Sequence, residues 1–275
     1  MKLHTVSARF VLESWQSSLV RIFFFLSLAV LSGTFSPLVF ADSKSDYDYQ
    51  YGLYRQSYAE FTVLKKDYLN TASLDNQQKA MLSAKQSILS RDLAKASLAW
   101  YIWDLINSSA VDYEPIKPIF NSLMVSRDFY FAQSEISKKI ITTENIKSFT
   151  SSYQNSTIEP DRTIRYGIVV NKIARLVRIQ IDSQTAIDDL IPKLPVPMPI
   201  TVAARVEELK TMHAAINSKI DLLAGGLQSS AGDENVDAEI FYTVRIEKMQ
   251  EIVGMQTNWI NQLIDLDLNY VQPKN

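Results

Sequence analysis

The chain has 275 residues, a formal net charge of −2, 7 glycines and no cysteine. Residues that favour helices, such as Ala, Leu, Gln, Lys and Glu, dominate it, which indicates a globular helical protein and excludes a disordered one. Disulfide bonds are excluded, so buried apolar area and helix packing must provide the stability. The slightly negative net charge argues against a nucleic-acid partner.

The first 41 residues have the pattern of an export signal. Three basic residues precede the apolar run IFFFLSLAVL, and VFA precedes the polar sequence DSKSD. Cleavage after Ala41 would leave Asp42 as the first mature residue. In the alternative, residues 22–41 are an uncleaved signal anchor, because this uncharged stretch is long enough to span a bilayer. Both alternatives place residues 42–275 outside the cytoplasm, and membrane contact is expected only through residues 22–41 if they are retained.

Aromatic residues recur at helical spacing directly after the signal segment. Within YDYQYGLYRQSYAEF (residues 47–61), steps of three and four residues connect Tyr47, Tyr51, Tyr54, Tyr58 and Phe61. Such steps place side chains on one stripe of a helix. The regular spacing favours a stripe that packs against the rest of the bundle. The alternative is an exposed surface that binds a partner, a role for which tyrosine is well suited.

Later segments repeat the same heptad rhythm. The predicted seams are Leu82, Leu89, Leu93, Ala96, Trp100 and Trp103; Val169, Ile173, Leu176, Gln180, Ser183, Ile187, Leu190 and Leu194; Val202, Val206, Leu209, His213, Ile216, Ile220 and Leu223; and Met249, Ile252, Gln256, Trp259, Leu263, Leu266 and Tyr270. Seams of this kind bury helices against one another along their length. The predicted fold is therefore all-α, an elongated antiparallel helical bundle with coiled-coil-like seams and about six helices after the signal segment.

Capping residues and prolines predict where these helices begin and end. Ser73 is a suitable N-cap for a helix that ends near Ser108. Pro115 and Pro118 mark the start of the next helix, which is expected to break near residue 142 and then continue to about Tyr153.

Three polar or proline-rich segments are predicted to be loops. They are residues 154–161 (QNSTIEPD, with Pro160 suited to the first turn of the next helix), 192–199 (PKLPVPMP) and 224–235 (AGGLQSSAGDEN). The proline-rich segment is also the candidate domain boundary, which would divide the bundle into residues 42–191 and 200–275. One continuous bundle is preferred, because two helices alone rarely bury a core.

Patterns typical of catalytic and metal sites are incomplete. His213 is the only histidine beyond the signal segment, so neither a histidine-based triad nor the Glu-x-x-His pairs of helical metal sites can be assembled. Its position on an apolar seam favours a buried histidine with a local hydrogen bond. The run DENVDAE (residues 233–239) resembles a calcium loop only in its first half, because Ala238 and Val244 replace the required glycine and glutamate. No catalytic residue, metal or cofactor is predicted.

The segment ASLAWYIWDLI (residues 96–106) is apolar almost all round, so it is expected at the most buried level of the bundle. A ligand pocket, if the protein has one, is expected near Trp100 and Trp103 or near His213. Asp104 is expected to point outward or to pair with a basic residue, because an unpaired buried carboxylate is costly. The alternative is a buried acid with a raised pKa.

A candidate basic face consists of Arg165, Lys172, Arg175 and Arg178. It would suit an anionic polymer or lipid headgroups, although a solvated helix face is the simpler interpretation. Glycosylation sequons begin at Asn107 and Asn155 and matter only in a host that glycosylates exported proteins.

Together these patterns predict an exported or membrane-anchored interaction or scaffold protein. Its partner is expected to be a protein of the cell envelope or of the exterior, and self-association is a further option. The alternative is an extracytoplasmic ligand-binding or sensor bundle, and the third hypothesis is a helical enzyme with an unrecognised site.

Overall fold

The computed structural model describes residues 40–230 and 238–271, which form an all-α structure without β-strands. The helices are α1 (Phe40–Asn70), α2 (Leu74–Ser108), α3 (Lys117–Lys138), α4 (Thr143–Ser156), α5 (Ile158–Leu190), α6 (Ile200–Ser230) and α7 (Ala238–Tyr270). Short 3₁₀ turns, Glu114–Ile116 and Ile191–Lys193, precede α3 and follow α5. The all-α prediction is confirmed. The signal segment, except residues 40 and 41, lies outside the described residues, as does most of the acidic run of residues 233–239.

The helices belong to two compact units. The N-terminal unit contains residues 40–174, which form α1 to α4 and the first half of α5. The C-terminal unit contains residues 175–226 and 238–271, which form the rest of α5, most of α6, and α7. The division therefore falls within α5, after Ala174. Residues 192–199, the candidate boundary of the sequence analysis, lie inside the C-terminal unit.

The predicted helix starts and the predicted break are confirmed. Ser73 Oγ accepts a hydrogen bond from the Asn76 backbone N–H at 3.2 Å and so caps α2. Pro115 and Pro118 lie in the first turns of the 3₁₀ turn and of α3, where a missing N–H costs nothing. At the break near residue 142, a capping box begins α4. Thr142 Oγ1 accepts a hydrogen bond from the Asn145 backbone N–H at 3.1 Å, and Asn145 Oδ1 accepts one from the Thr142 backbone N–H at 3.2 Å. The break makes α4 a separate helix.

Two predicted loops are largely helical, so those predictions are wrong. Helix α4 continues to Ser156 and α5 begins at Ile158, which leaves only Thr157 between them. Polar residues 154–156 are exposed there while Tyr153 and Thr157 are buried, so a polar sequence continues the helix without burying unmatched groups. Residues 224–230 likewise complete α6, and residues 231–237 lie outside the described part of the chain.

Helix α1 packs against α2 through polar contacts, here called the serine seam. Its side-chain pairs are Ser43 Oγ with Asp104 Oδ2 (2.6 Å), Ser97 Oγ with Asp46 Oδ2 (2.6 Å), and Ser57 Oγ with Ser90 Oγ (2.5 Å). Residue numbers fall along α2 as they rise along α1, so the two helices are antiparallel. Small serine side chains allow a close approach of the helices. The hydrogen bonds avoid the cost of burying unmatched polar groups.

The buried face of α2 differs from the predicted seam. Of the six predicted residues only Ala96 is buried, and Leu82 is 53% exposed. The contacts with α1 lie one residue later in each heptad, at Ser90, Ser97 and Asp104, and the buried Ser83 continues this row. One residue corresponds to a rotation of about 100° around the helix axis.

The seams predicted for α5, α6 and α7 are confirmed. Their residues are all buried except Tyr270, which is half-buried. Trp259, on α7, is 1% exposed and donates a hydrogen bond from Nε1 to the Leu209 carbonyl of α6 at 2.8 Å. A buried indole therefore has both apolar packing and a partner for its N–H group.

The apolar segment of residues 96–106 is packed as predicted. Each of its side chains is buried or half-buried within the N-terminal unit. Among the described helices, none combines the length and apolarity that a membrane crossing requires.

Substitution of Gly167 by alanine is expected to lower the free energy of unfolding by about 1–3 kcal/mol, because overpacking a tight core forces side chains to move. An added Cβ would lie 2.9 Å from Ile102 Cγ2 and 3.0 Å from Leu123 Cδ2. The matched control is Gly52→Ala on α1, where a Cβ meets nothing within 4 Å. That change is expected to add about 0.5–1 kcal/mol of stability through the unfolded chain. Urea unfolding measures both, and a Gly167→Ala protein as stable as the wild type would contradict the packing argument.

Candidate functional site

Five tyrosine rings form a continuous row along α1 and the adjoining part of α2. This tyrosine ladder consists of Tyr101, Tyr47, Tyr51, Tyr54 and Tyr58 in spatial order. Successive ring centroids are 6.0, 5.7, 6.5 and 5.9 Å apart, and all four distances are within the range of favourable aromatic contacts. The first two pairs are stacked and the last two are tilted. Four of the rings belong to the predicted partner surface, and Tyr101 of α2 extends it.

The ladder lies beside the serine seam and adds one ring contact between the helices, the stack of Tyr47 of α1 on Tyr101 of α2. Tyr51 and Tyr58 are 43% and 53% exposed, and the other three rings are half-buried. Phe61, the fifth residue of the predicted surface, is half-buried, with Lys65 Nζ 5.9 Å from its ring centroid. Because the serine seam joins α1 to α2, the exposed rings contribute little to that contact.

The chemistry of the ladder suits binding. Burial raises the pKa of the Tyr47 hydroxyl, and Tyr51 and the Asp48 charge raise it further, so the phenol is neutral at physiological pH. The row presents apolar ring surface together with hydroxyl groups that donate or accept hydrogen bonds. Tyrosine provides this contact area with few rotatable bonds, so little conformational freedom is lost on binding.

Trp100 and Trp103 pack on each other and on α3. Their rings are parallel, with centroids 5.0 Å apart, and Phe120 meets Trp103 edge-on at 6.0 Å. The Arg127 guanidinium lies 5.3 Å from the Trp100 ring centroid. Two clefts of the N-terminal unit have volumes of about 150 and 280 Å³, and neither is lined by these tryptophans.

Asp104 is buried at 7% exposure, and Ser43 donates to it from the adjacent helix. The expectation that it points outward or pairs with a basic residue is therefore wrong. A serine hydroxyl satisfies the carboxylate as part of the serine seam. Asn107 and Asn155, which begin the two sequons, are both exposed.

The four residues of the predicted basic face lie on α5 but are divided between the units. Arg165 and Lys172 belong to the N-terminal unit, and Arg175 and Arg178 to the C-terminal unit. Arg165 Nε donates to the Asp161 carbonyl at 3.4 Å, and Arg178 pairs with Asp182 at 3.0 Å. Two of the four cations thus have partners on their own helix.

His213 is buried within a polar layer of the C-terminal unit. Its Nε2 lies 3.1 Å from the Gln180 carbonyl, which can only accept, so Nε2 carries a hydrogen. Asn217 lies 3.4 Å from Nδ1, Gln180 Nε2 donates to Asn217 Oδ1 at 3.1 Å, and Gln256 Nε2 lies 3.3 Å from Gln180 Oε1. The layer connects α5, α6 and α7. Polar residues at seam positions of this kind fix the register of helices.

Sequence analysis missed a second polar cluster, which joins four helices of the N-terminal unit. Its members are Arg91, Asp92 and Lys95 of α2, Tyr130 of α3, Tyr153 of α4 and Asp161 of α5. Lys95 Nζ donates to both Asp161 carboxylate oxygens at 2.8 and 2.9 Å, and the Tyr130 hydroxyl donates to the same carboxylate. This half of the cluster connects α2, α3 and α5.

Asp92 is the centre of the other half. It is 0% exposed, and its Oδ1 accepts hydrogen bonds from the Tyr153 hydroxyl at 2.6 Å and from Arg91 Nε at 3.0 Å. The Arg91 guanidinium also lies 3.8 Å from the Tyr153 ring centroid. Asp92 Oδ2 and Arg91 Nη2 are buried without a hydrogen-bond partner among the described residues.

Burial controls the protonation of this cluster. Desolvation raises the pKa of the Asp92 carboxyl, and the Arg91 charge and the Tyr153 hydrogen bond offset only part of that effect. Desolvation also raises the pKa of both Tyr130 and Tyr153, which therefore remain donors. Nothing in the sequence marks the cluster, because its residues come from four separate segments without a common spacing.

The stability that depends on Asp92 is expected to fall as pH rises above about 4. The folded protein retains the Asp92 proton at pH values where the unfolded chain has lost it, so the folded state binds more protons in that window. The Asp92→Asn variant has no ionisable carboxyl at this position, so its free energy of unfolding lacks this pH-dependent contribution. The difference in the free energy of unfolding, wild type minus variant, should therefore be largest near pH 4 and decline towards neutral pH in urea titrations.

Tyr153→Phe provides the companion measurement. The variant lacks the hydroxyl that stabilises the charged form of Asp92, so the pKa of Asp92 rises further and the decline extends to higher pH. A difference between wild type and Asp92→Asn that is flat, or that grows with pH, would contradict the assignment of a raised pKa to Asp92.

In the described ranges, 40–230 and 238–271, no three His, Asp or Glu side chains are grouped so that they could hold a metal ion. Comparisons of this chain with protein-family profiles, with curated proteins and with solved structures found no match.

Proposed function

We propose that this chain is an exported or membrane-anchored interaction protein that binds a protein partner through the tyrosine ladder. The observation that supports this proposal is that α1 attaches to α2 through serines while its tyrosines remain in contact with solvent. Exposed aromatic residues grouped on one face are characteristic of interaction surfaces.

Export is part of the proposal and rests on the signal-like pattern of the first 41 residues. Helix α1 begins at Phe40, so cleavage after Ala41 would leave almost the whole helix at the start of the mature chain. A reporter enzyme that is active only outside the cytoplasm, fused after Asn275, is expected to be active. N-terminal sequencing of the exported protein then distinguishes cleavage from a retained anchor.

Site-specific photo-crosslinking tests the ladder. A photoreactive phenylalanine analogue is placed at Tyr51, at Tyr58 or at Tyr49, which lies off the ladder on the same helix and is 63% exposed. Adducts with another polypeptide are expected from positions 51 and 58 in intact cells, and few or none from position 49. Equal adduct yields at all three positions would show that simple exposure explains the crosslinks, and the proposal would fail.

A further inference from the structure

The C-terminal unit displays a second exposed apolar feature, here called the proline loop, which consists of residues 195–199 and of Ile200, the first residue of α6. We propose that the partner of the tyrosine ladder is the proline loop of a second copy of this chain. The inference deepens the proposed function, because it assumes that the ladder binds a polypeptide and names which one.

The proline loop is fixed at both ends and exposed in the middle. Leu194 is buried, and its N–H donates to the Ile191 carbonyl at 3.2 Å. At the other end, the Val202 N–H donates to the Pro199 carbonyl at 3.0 Å. Between these anchors Val196 is 95% exposed and Ile200 is 89% exposed. A partner that covers these two apolar side chains removes their surface from water, which lowers the free energy of the complex.

The chemistry of the loop matches that of the ladder. Proline presents an apolar ring and has no N–H group that needs a partner, so the loop offers apolar surface that can pack on tyrosine rings. Pro195, Pro197 and Pro199 also fix backbone φ angles, so the loop loses little conformational freedom on binding. The tyrosine hydroxyls can donate to the carbonyl groups that a proline-rich backbone leaves unpaired.

Charge is complementary as well. From residue 44 to residue 61, α1 carries three carboxylates and two cations, and Lys44 pairs with Asp48 at 2.5 Å, which leaves this part of the helix with a net charge of −1. The loop side carries one charge in residues 191–200, the exposed Lys193. An acidic helix face and a basic loop attract each other at long range, which favours this pairing over one between two ladders, where like charges would meet.

Because ladder and loop are different surfaces, the contact is heterologous, and each copy retains one free ladder and one free loop. Association should therefore build head-to-tail chains or closed rings in the wild type. A contact between two ladders would stop at a dimer. This difference makes the inference testable with two variants.

The experiment measures sedimentation velocity of the full exported chain over a range of concentrations. The ladder variant is Tyr51→Ser with Tyr58→Ser, the loop variant is Val196→Ser with Ile200→Ser, and Tyr49→Ser is the matched control. All five positions are exposed, so far-UV circular dichroism should show unchanged helix content. Each double variant alone is expected to lose self-association at least tenfold, and Tyr49→Ser to retain it.

Mixing the two double variants gives the decisive result. One supplies an intact loop and the other an intact ladder, so the mixture is expected to form heterodimers and nothing larger. A mixture that stays monomeric, or a wild type that is monomeric at all concentrations, would overturn the inference. If the photo-crosslinks at positions 51 and 58 then join this chain to a different polypeptide, the proposed function stands and only the choice of partner is wrong.

Discussion

Replacing Trp259 with alanine is expected to lower the free energy of unfolding of the C-terminal unit by about 3–5 kcal/mol, the cost of removing a buried indole and leaving a cavity. Trp259 is 1% exposed, packs 5.9 Å from the His213 ring and donates to the Leu209 carbonyl. The substitution therefore removes apolar contacts between α6 and α7 together with a hydrogen bond. Hydrogen–deuterium exchange of peptides from both helices measures the loss.

The controls separate the cavity from the hydrogen bond. Trp259→Phe retains most of the ring contact and loses the N–H donor, so a smaller loss of about 1–2 kcal/mol is expected. Val253→Ala, at a 40% exposed position of the same helix, should change stability by less than about 0.5 kcal/mol. A Trp259→Ala protein that exchanges like Val253→Ala would show that the indole is not central to this core.

Replacing Asp92 with alanine is expected to destabilise the N-terminal unit by about 2–4 kcal/mol, the cost of leaving its buried partners without an acceptor. The Tyr153 hydroxyl and the Arg91 guanidinium would lose their acceptor in a buried site, and unpaired buried groups carry the full cost of desolvation. Exchange rates in peptides from α2 and α4 should rise, since Asp92 and Tyr153 connect these helices.

A double-mutant cycle tests whether the loss comes from that contact. Tyr153→Phe alone leaves the carboxylate with Arg91 and should cost about 1–2 kcal/mol. In the double variant Asp92→Ala with Tyr153→Phe, no phenol remains unpaired, so the total cost should be smaller than the sum of the single costs. Additive costs would show that the two side chains act independently, in contradiction to the 2.6 Å hydrogen bond.

The seams of the C-terminal unit could be predicted because only one interpretation fits the sequence. On α6 the residues between Val202, Val206, Leu209 and Ile216 are mostly polar or small, so a single apolar face exists. A helix of this kind has one favourable orientation towards a core. The burial of His213 was also predicted correctly, because its apolar neighbours on the seam place its side chain on the buried face of the helix.

The buried face of α2 could not be predicted in the same way. Between residues 96 and 106 this helix is apolar on nearly every side, so periodicity does not select one face. Leu89 and Trp103 suggested an apolar seam, whereas Ser90 and Asp104 form the actual contact with α1. Serines suit this contact because their small side chains let the helices approach closely and their hydroxyls form hydrogen bonds across it. Both properties depend on the partner helix.

Sequence patterns alone predicted the helical class, the helix start at Ser73, the break near residue 142 and the alignment of aromatic residues on α1, because backbone capping and a period of 3.6 residues are local properties. Those patterns did not show that the tyrosines lie beside the serine seam, that Tyr101 joins them, or that Asp92 meets Tyr153 from 61 positions away. Such contacts depend on how helices pack, and many packings satisfy the same pattern of apolar residues.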